Sequence, residues 1–189
     1  MNRAPSLVLR VAVLSLVVVL FQVCVVSEIT FFGVSADITA LLVAFVGLMC
    51  GSLTGAVTGF CVGLLVDLAL VQTLGLTSLV FTLIGYWAGR LREVRDPQAA
   101  LTPIIVGALA AATALFGYSA MEFMLGVDAP VSFALLREIL IGVVLDAILA
   151  LPMWLIVKRV VEPALPDDPR RRRRRRAYTT GGLSPLTRP

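Results

Sequence analysis

Four acids stand inside apolar runs of this 189-residue chain: Asp67, Glu122, Glu138 and Asp146. A carboxylate in such a stretch needs a partner or a task, so these four are candidates for a proton or cation path. Enzyme chemistry fits poorly. Histidine is absent, which removes the commonest general base and metal ligand. No nucleophile with an activating base can be assembled, and Lys158 falls at the end of the last apolar run. Cys24, Cys50 and Cys61 show neither C-x-x-C nor C-x-x-H spacing, so they form no zinc site or disulfide framework. They read as small apolar packing residues. Catalytic, cofactor and metal sites are therefore not expected.

The elements that position the acids are membrane spans. The chain is 59% hydrophobic and 15% charged, with a mean hydropathy of +0.97. Soluble domains carry about 25% charged residues, so the fold class expected is an all-α polytopic membrane protein. Six apolar segments can be marked, at residues 7–27, 37–50, 52–71, 75–91, 101–125 and 134–157. The first is longer than a signal-peptide core and lacks an A-x-A-like site after it. The second is short for a span, which needs roughly 20 residues.

Charge sets the orientation. The loops "SEITFFGVSA", "LVQTLG" and "GVDAPVS" contain no Lys or Arg. Arg3, Arg10, Arg90, Arg92, Arg95, Lys158, Arg159, Arg170 to Arg176 and Arg188 all fall on the opposite side. Positive charge marks the cytoplasm, so both termini are expected there, with Trp87 and Trp154 as anchors at the inner ends. Residues 1–162 form the expected six-span domain. Residues 163–189 hold five prolines and the run Arg170, Arg171, Arg172, Arg173, Arg174, Arg175, Arg176, which reads as a disordered cytoplasmic tail. Such a run attracts anionic lipid or docks a protein. Nucleic acid is the weaker reading, because no aromatic platform accompanies the charge.

Glycines recur every four residues at Gly47, Gly51, Gly55, Gly59 and Gly63, and the next step is Asp67. Residues four apart share a helix face, so Gly51 to Gly63 form a small-residue groove that another helix backbone can approach closely. Asp67 then sits on a packed face near the outer end. Its expected partner is Arg137, the basic residue nearest that depth. The alternatives are the polar groups of Gln72, Thr73, Thr77 and Ser78, which with Gly75 make an outer turn. Glu122 and Glu138 compete for Arg137. The stretches "GLLVDLAL" and "GVVLDAIL" both read G-x-x-x-D and end in Asp67 and Asp146. An inverted 3+3 repeat would give this, though two letters in an apolar background arise readily by chance. Pro152, six residues past Asp146, predicts a kink in the sixth span.

An acid opening the second span (Asp37), a glycine-rich third span ending Gly63-x-x-x-Asp67, then Leu74-Gly75, Leu79 and Gly85-Tyr86, together resemble the rod shape-determining protein MreD family. The similarity covers roughly residues 30 to 92, and Ala36 stands where family members often have proline. The resemblance implies a compact bundle similar to the substrate-binding component of energy-coupling-factor transporters. It implies a non-enzymatic inner-membrane scaffold of the elongation machinery, partnered by a bitopic MreC-like shape protein. Further implied members are the actin-like MreB filament, RodA and a class B penicillin-binding protein, which together guide lateral peptidoglycan synthesis. The alternative is the substrate-binding membrane component of a vitamin-type transporter. Such a module wants a polar, aromatic-lined outer pocket, and the short outer loops offer few aromatics beyond Phe31, Phe32 and Phe133.

Overall fold

The computed structural model describes residues 3–26, 36–70, 74–94, 102–124 and 133–164. Six α-helices account for nearly all of them, and no strand occurs among the described residues. They are α1 (Arg3–Phe21), α2 (Ile38–Cys50), α3 (Ser52–Ala69), α4 (Leu76–Val94), α5 (Thr102–Met124) and α6 (Phe133–Val161). A π-turn over Gln22–Val26 ends α1, and a 3₁₀ turn over Glu162–Ala164 follows α6. Four stretches are long and apolar enough to cross a membrane: Leu7–Cys24, Ser52–Ala69, Pro103–Ala120 and Leu140–Val161. The arginine run 170–176 lies outside the described residues.

The short second segment is the centre of the bundle. At about 1.5 Å per residue, the 13 residues of α2 reach about 20 Å, against about 30 Å of hydrocarbon. Residues Thr39 to Met49 of α2 are all buried, so its surroundings are protein and not lipid. It touches α1, α3, α4, α5 and α6. This explains why the helix is apolar all round: every face meets another helix.

α2 and α6 run parallel in one register. Asp37 meets Asp146, Leu41 and Ala150 both border Gly107 of α5, and Phe45 stacks edge-on against Trp154 at 5.4 Å and 70°. Trp154 is thus half-buried in packing and is no outward anchor, whereas Trp87 is 61% exposed. α6 continues unbroken through Pro152, whose ring lies on an exposed face. Of the cysteines, Cys50 packs against the core. Cys24 and Cys61 are exposed because they fall on the outward faces of their helices, so the packing reading fails for them.

The glycine ladder divides into two roles. Gly51 has φ 103° and ψ 172°, a region open in practice to glycine alone. One residue therefore ends α2 and starts α3: its N–H donates to Gly47 O at 2.8 Å, and its carbonyl accepts from Gly55 N at 2.9 Å. A Cβ there would meet nothing within 4 Å, so glycine is required at 51 for the turn and not for clearance, although the Gly51 backbone itself lies against Gly89 of α4. Gly55, Gly59 and Gly63 do form the groove, and its occupant is α4. A Cβ on them would overlap Gly85 O, Phe81 O and Ser78 Cα, respectively. The fit is reciprocal, since a Cβ on Gly85 or Gly89 would overlap Gly55 O or Ser52 Cα. α3 and α4 are thus an antiparallel hairpin in backbone contact, where close approach makes up in dispersion for the missing side chains.

Candidate functional site

The acids collect toward the end of the bundle where α1, α3 and α5 finish and α2 and α4 begin, at a level that α6 passes midway along its length with Asp146. The opposite end carries Arg10, Arg90, Arg92, Lys158 and Arg159. At the basic end the Arg10 guanidinium donates to Val160 O at 3.4 Å, tying α1 to the last turn of α6.

The acid end is built from helix starts. The first amides of a helix have no partner within it and carry the positive end of its dipole. α2 begins beneath other helices, so water cannot satisfy those amides freely. Three side chains do so instead. Asp37, the N-cap, accepts from Ala40 N at 3.1 Å and from the Thr39 hydroxyl. Gln22, from the π-turn after α1, accepts from Ile38 N at 3.1 Å and donates to Ala36 O at 2.8 Å. Asp146 of α6 accepts from Asp37 N at 2.9 Å. The start of the central helix is therefore pinned by the helices before and beyond it in the chain.

Asp67 does the same for α4. Fully buried, it accepts from Gly75 N at 2.8 Å, Thr77 N at 3.3 Å and the Ser78 hydroxyl at 3.5 Å. Gly75 has φ 97°, which folds the chain back so that its N–H points at the carboxylate. Asp67 is thus an N-cap supplied by the preceding helix, and a carboxylate at a helix N-terminus is favoured both as acceptor and as counter-charge. The expected Asp67–Arg137 pair is not formed, because Arg137 is exposed on α6 while the Asp67 oxygens face the α4 amides. Of the alternatives among the described residues, Ser78 meets it through its hydroxyl, whereas Thr77 meets it through its backbone amide and not its hydroxyl.

Tyr118 of α5 joins the two capped starts. Its hydroxyl hydrogen-bonds Thr77 and lies within electrostatic reach of both Asp37 and Asp67. The π-turn after α1 and the helices α2, α3, α4, α5 and α6 each contribute a polar group to one cluster. Gln72 and Thr73 lie outside the described residues, as do the side chains of Glu122 and Glu138. Among the described residues no group of three His, Cys, Asp or Glu is placed to hold a metal ion.

Gln22, Thr39 and Tyr118 were not singled out in the sequence. Gln22 had a usable signal, as a lone amide in "LVVVLFQVCVV". Asp37 did too, as an N-cap type directly before an apolar run. Tyr118 had none, because its role depends on where α5 lands.

These acids and glycines fall within one family pattern. The family model of rod shape-determining protein MreD matches residues 5–161. The chain belongs to the MreD family. The match runs from α1 to the last residue of α6, so the whole helical bundle is covered, well beyond the stretch 30–92 that carries the motif. No curated protein and no solved structure matches the chain. For this MreD-family bundle, the two G-x-x-x-D stretches have a common physical use: Asp67 and Asp146 each leave one helix to cap the start of another. Membership assigns the chain to determination of rod shape.

Proposed function

We propose that the protein is a non-enzymatic scaffold of the cell-elongation machinery in the bacterial inner membrane, organising lateral peptidoglycan synthesis with an MreC-like bitopic partner. The family match over the entire bundle carries this reading. The chemistry of the chain supports it, since Asp37, Asp67 and Asp146 are engaged by backbone amides. Held carboxylates of this kind fix helix positions and suit a rigid docking body.

The chain crosses the membrane six times in this proposal, with the short α2 spanning part of the thickness inside the other five helices, in a bundle similar to energy-coupling-factor substrate-binding components. Both termini are cytoplasmic, because α1 starts and α6 ends at the basic end. MreB, RodA and a class B penicillin-binding protein are further members of the assembly, and Arg170 to Arg176 meet anionic lipid.

The experiment is affinity purification of the tagged chain from native membranes, with identification of what co-purifies. Recovery of a single-span shape protein together with peptidoglycan-synthesis enzymes is expected. Recovery of a transporter's energy-coupling subunits instead would overturn the scaffold reading.

A further inference from the structure

α4 and α5 pack closely at the acid end, where a Cβ on Gly117 would lie 3.0 Å from Val80. Toward the basic end they part around a cleft of about 230 Å³. Ala88 and Ala110, both buried, form its floor, while Trp87 and Leu109 flank it at 61% and 53% exposed. The cleft therefore opens sideways onto the lipid-facing surface.

We propose that this cleft seats one acyl chain of an anionic phospholipid, with the headgroup at Arg90. The inference is independent of the shape-determining role. Width supports it first. α4 and α5 remain in contact, whereas an interposed helix would need its axis 8–10 Å from each neighbour. A chain of methylenes needs far less room.

Lining supports it second. Two lining side chains carry a polar atom: Thr113, whose hydroxyl already donates to Leu109 O at 2.7 Å, and Trp87, whose indole stands exposed at the rim. The buried floor, Ile84, Ala88, Val106 and Ala110, offers a polar ligand nothing to bond.

The mouth supports it third. Leu83, Trp87 and Arg90 lie along one exposed stripe of α4, with Arg90 less than one turn beyond the indole. An aromatic at the hydrocarbon boundary followed by a cation at headgroup depth is the arrangement that interfaces favour. A guanidinium has five donors, enough to meet a phosphate beside any other contact.

The test uses the full chain with Trp154→Phe, which leaves Trp87 as its one tryptophan. The protein is reconstituted in phosphatidylcholine vesicles containing rising fractions of chain-brominated phosphatidylglycerol or chain-brominated phosphatidylcholine. Bromine quenches indole fluorescence at contact. Half-maximal quenching is expected at about fivefold lower fraction of the anionic lipid, the preference that one basic residue near a membrane surface supports. Arg90→Gln should bring that ratio close to one. Ala110→Leu, which fills the floor, should weaken quenching by both lipids. Equal quenching by the two lipids in the unaltered cleft would overturn the proposal. So would a preference that survives both substitutions, or a co-purifying protein that shields Trp87 from both lipids.

Discussion

Replacing Asp67 by alanine should loosen the start of α4 more than any other part of the molecule. The carboxylate holds Gly75 N at 2.8 Å, and Thr77 N and the Ser78 hydroxyl at 3.3 and 3.5 Å. The first is a strong charge-assisted bond, the second is long, and the third is at the edge of what counts as a bond. A hydrogen bond to a charged group contributes about 1.5–3 kcal/mol, and a carboxylate at a helix start adds about 0.3–1 kcal/mol. Relief of the carboxylate's own burial opposes these terms. The net loss expected is about 2–3 kcal/mol, which in a domain of this size lowers Tm by roughly 4–12 °C. Thermal unfolding in a mild detergent measures the total. Amide exchange over residues 76–80 localises it, because those amides should lose protection first. Asp67→Asn keeps one acceptor oxygen and should lose about half as much. Arg137→Ala should add to Asp67→Ala within about 0.5 kcal/mol, as sites without contact do. A loss below about 0.5 kcal/mol for Asp67→Ala, with α4 exchange unchanged, would refute the capping argument.

Gly59→Ala should destabilise the bundle although alanine is the better helix former by about 1 kcal/mol, because its Cβ overlaps Phe81 O; a raised Tm would show that α3 and α4 can separate freely. Asp146→Ala leaves Asp37 N without its 2.9 Å acceptor and should cost about 1–3 kcal/mol, read as a lower Tm and impaired rescue of rod shape in cells lacking the protein. A C-terminal cytoplasm-reporting fluorescent fusion should glow, while a phosphatase fusion at the same site stays silent; the reverse pattern would invert the orientation. Exchange of Arg170 to Arg176 for lysine should preserve function while glutamine weakens membrane retention. Equal failure of both would favour bidentate recognition by a specific partner.

The residues 3–164 show how far one-dimensional pattern reaches. Hydropathy is a local property, so the six apolar segments, their approximate limits and their polarity could be read directly. The borders moved where the structure continues a helix past the apolar run: α1 starts at Arg3 and α6 extends to Val161. Glycines at every fourth residue, Gly55 to Gly63, also declared a close-packed face, because a helix places residues four apart on one side. That pattern could not name the occupant. Gly85 and Gly89 complete the fit from α4, and only the hairpin brings them opposite. Gly51 looked like one more rung of the ladder. Its φ of 103° is a fact of the chain path that spacing does not encode.

The acids divide in the same way. An intramembrane carboxylate announces from sequence that it must be satisfied, since the cost of burial depends only on its chemistry. Its partner depends on three-dimensional depth. Arg137 was the electrostatic choice by sequence position, yet the nearest positive end is the start of α4, formed by backbone amides that every residue but proline possesses and no composition reveals. Asp146 meets Asp37 across 109 residues because α2 and α6 share a parallel register, which packing from there to Phe45 and Trp154 maintains. Sequence by itself determined that this is a helical membrane protein with buried acids and a glycine-lined face. Tertiary structure alone decided which helix start each acid would hold, because a buried amide becomes a binding partner only after the helices around it have excluded the water.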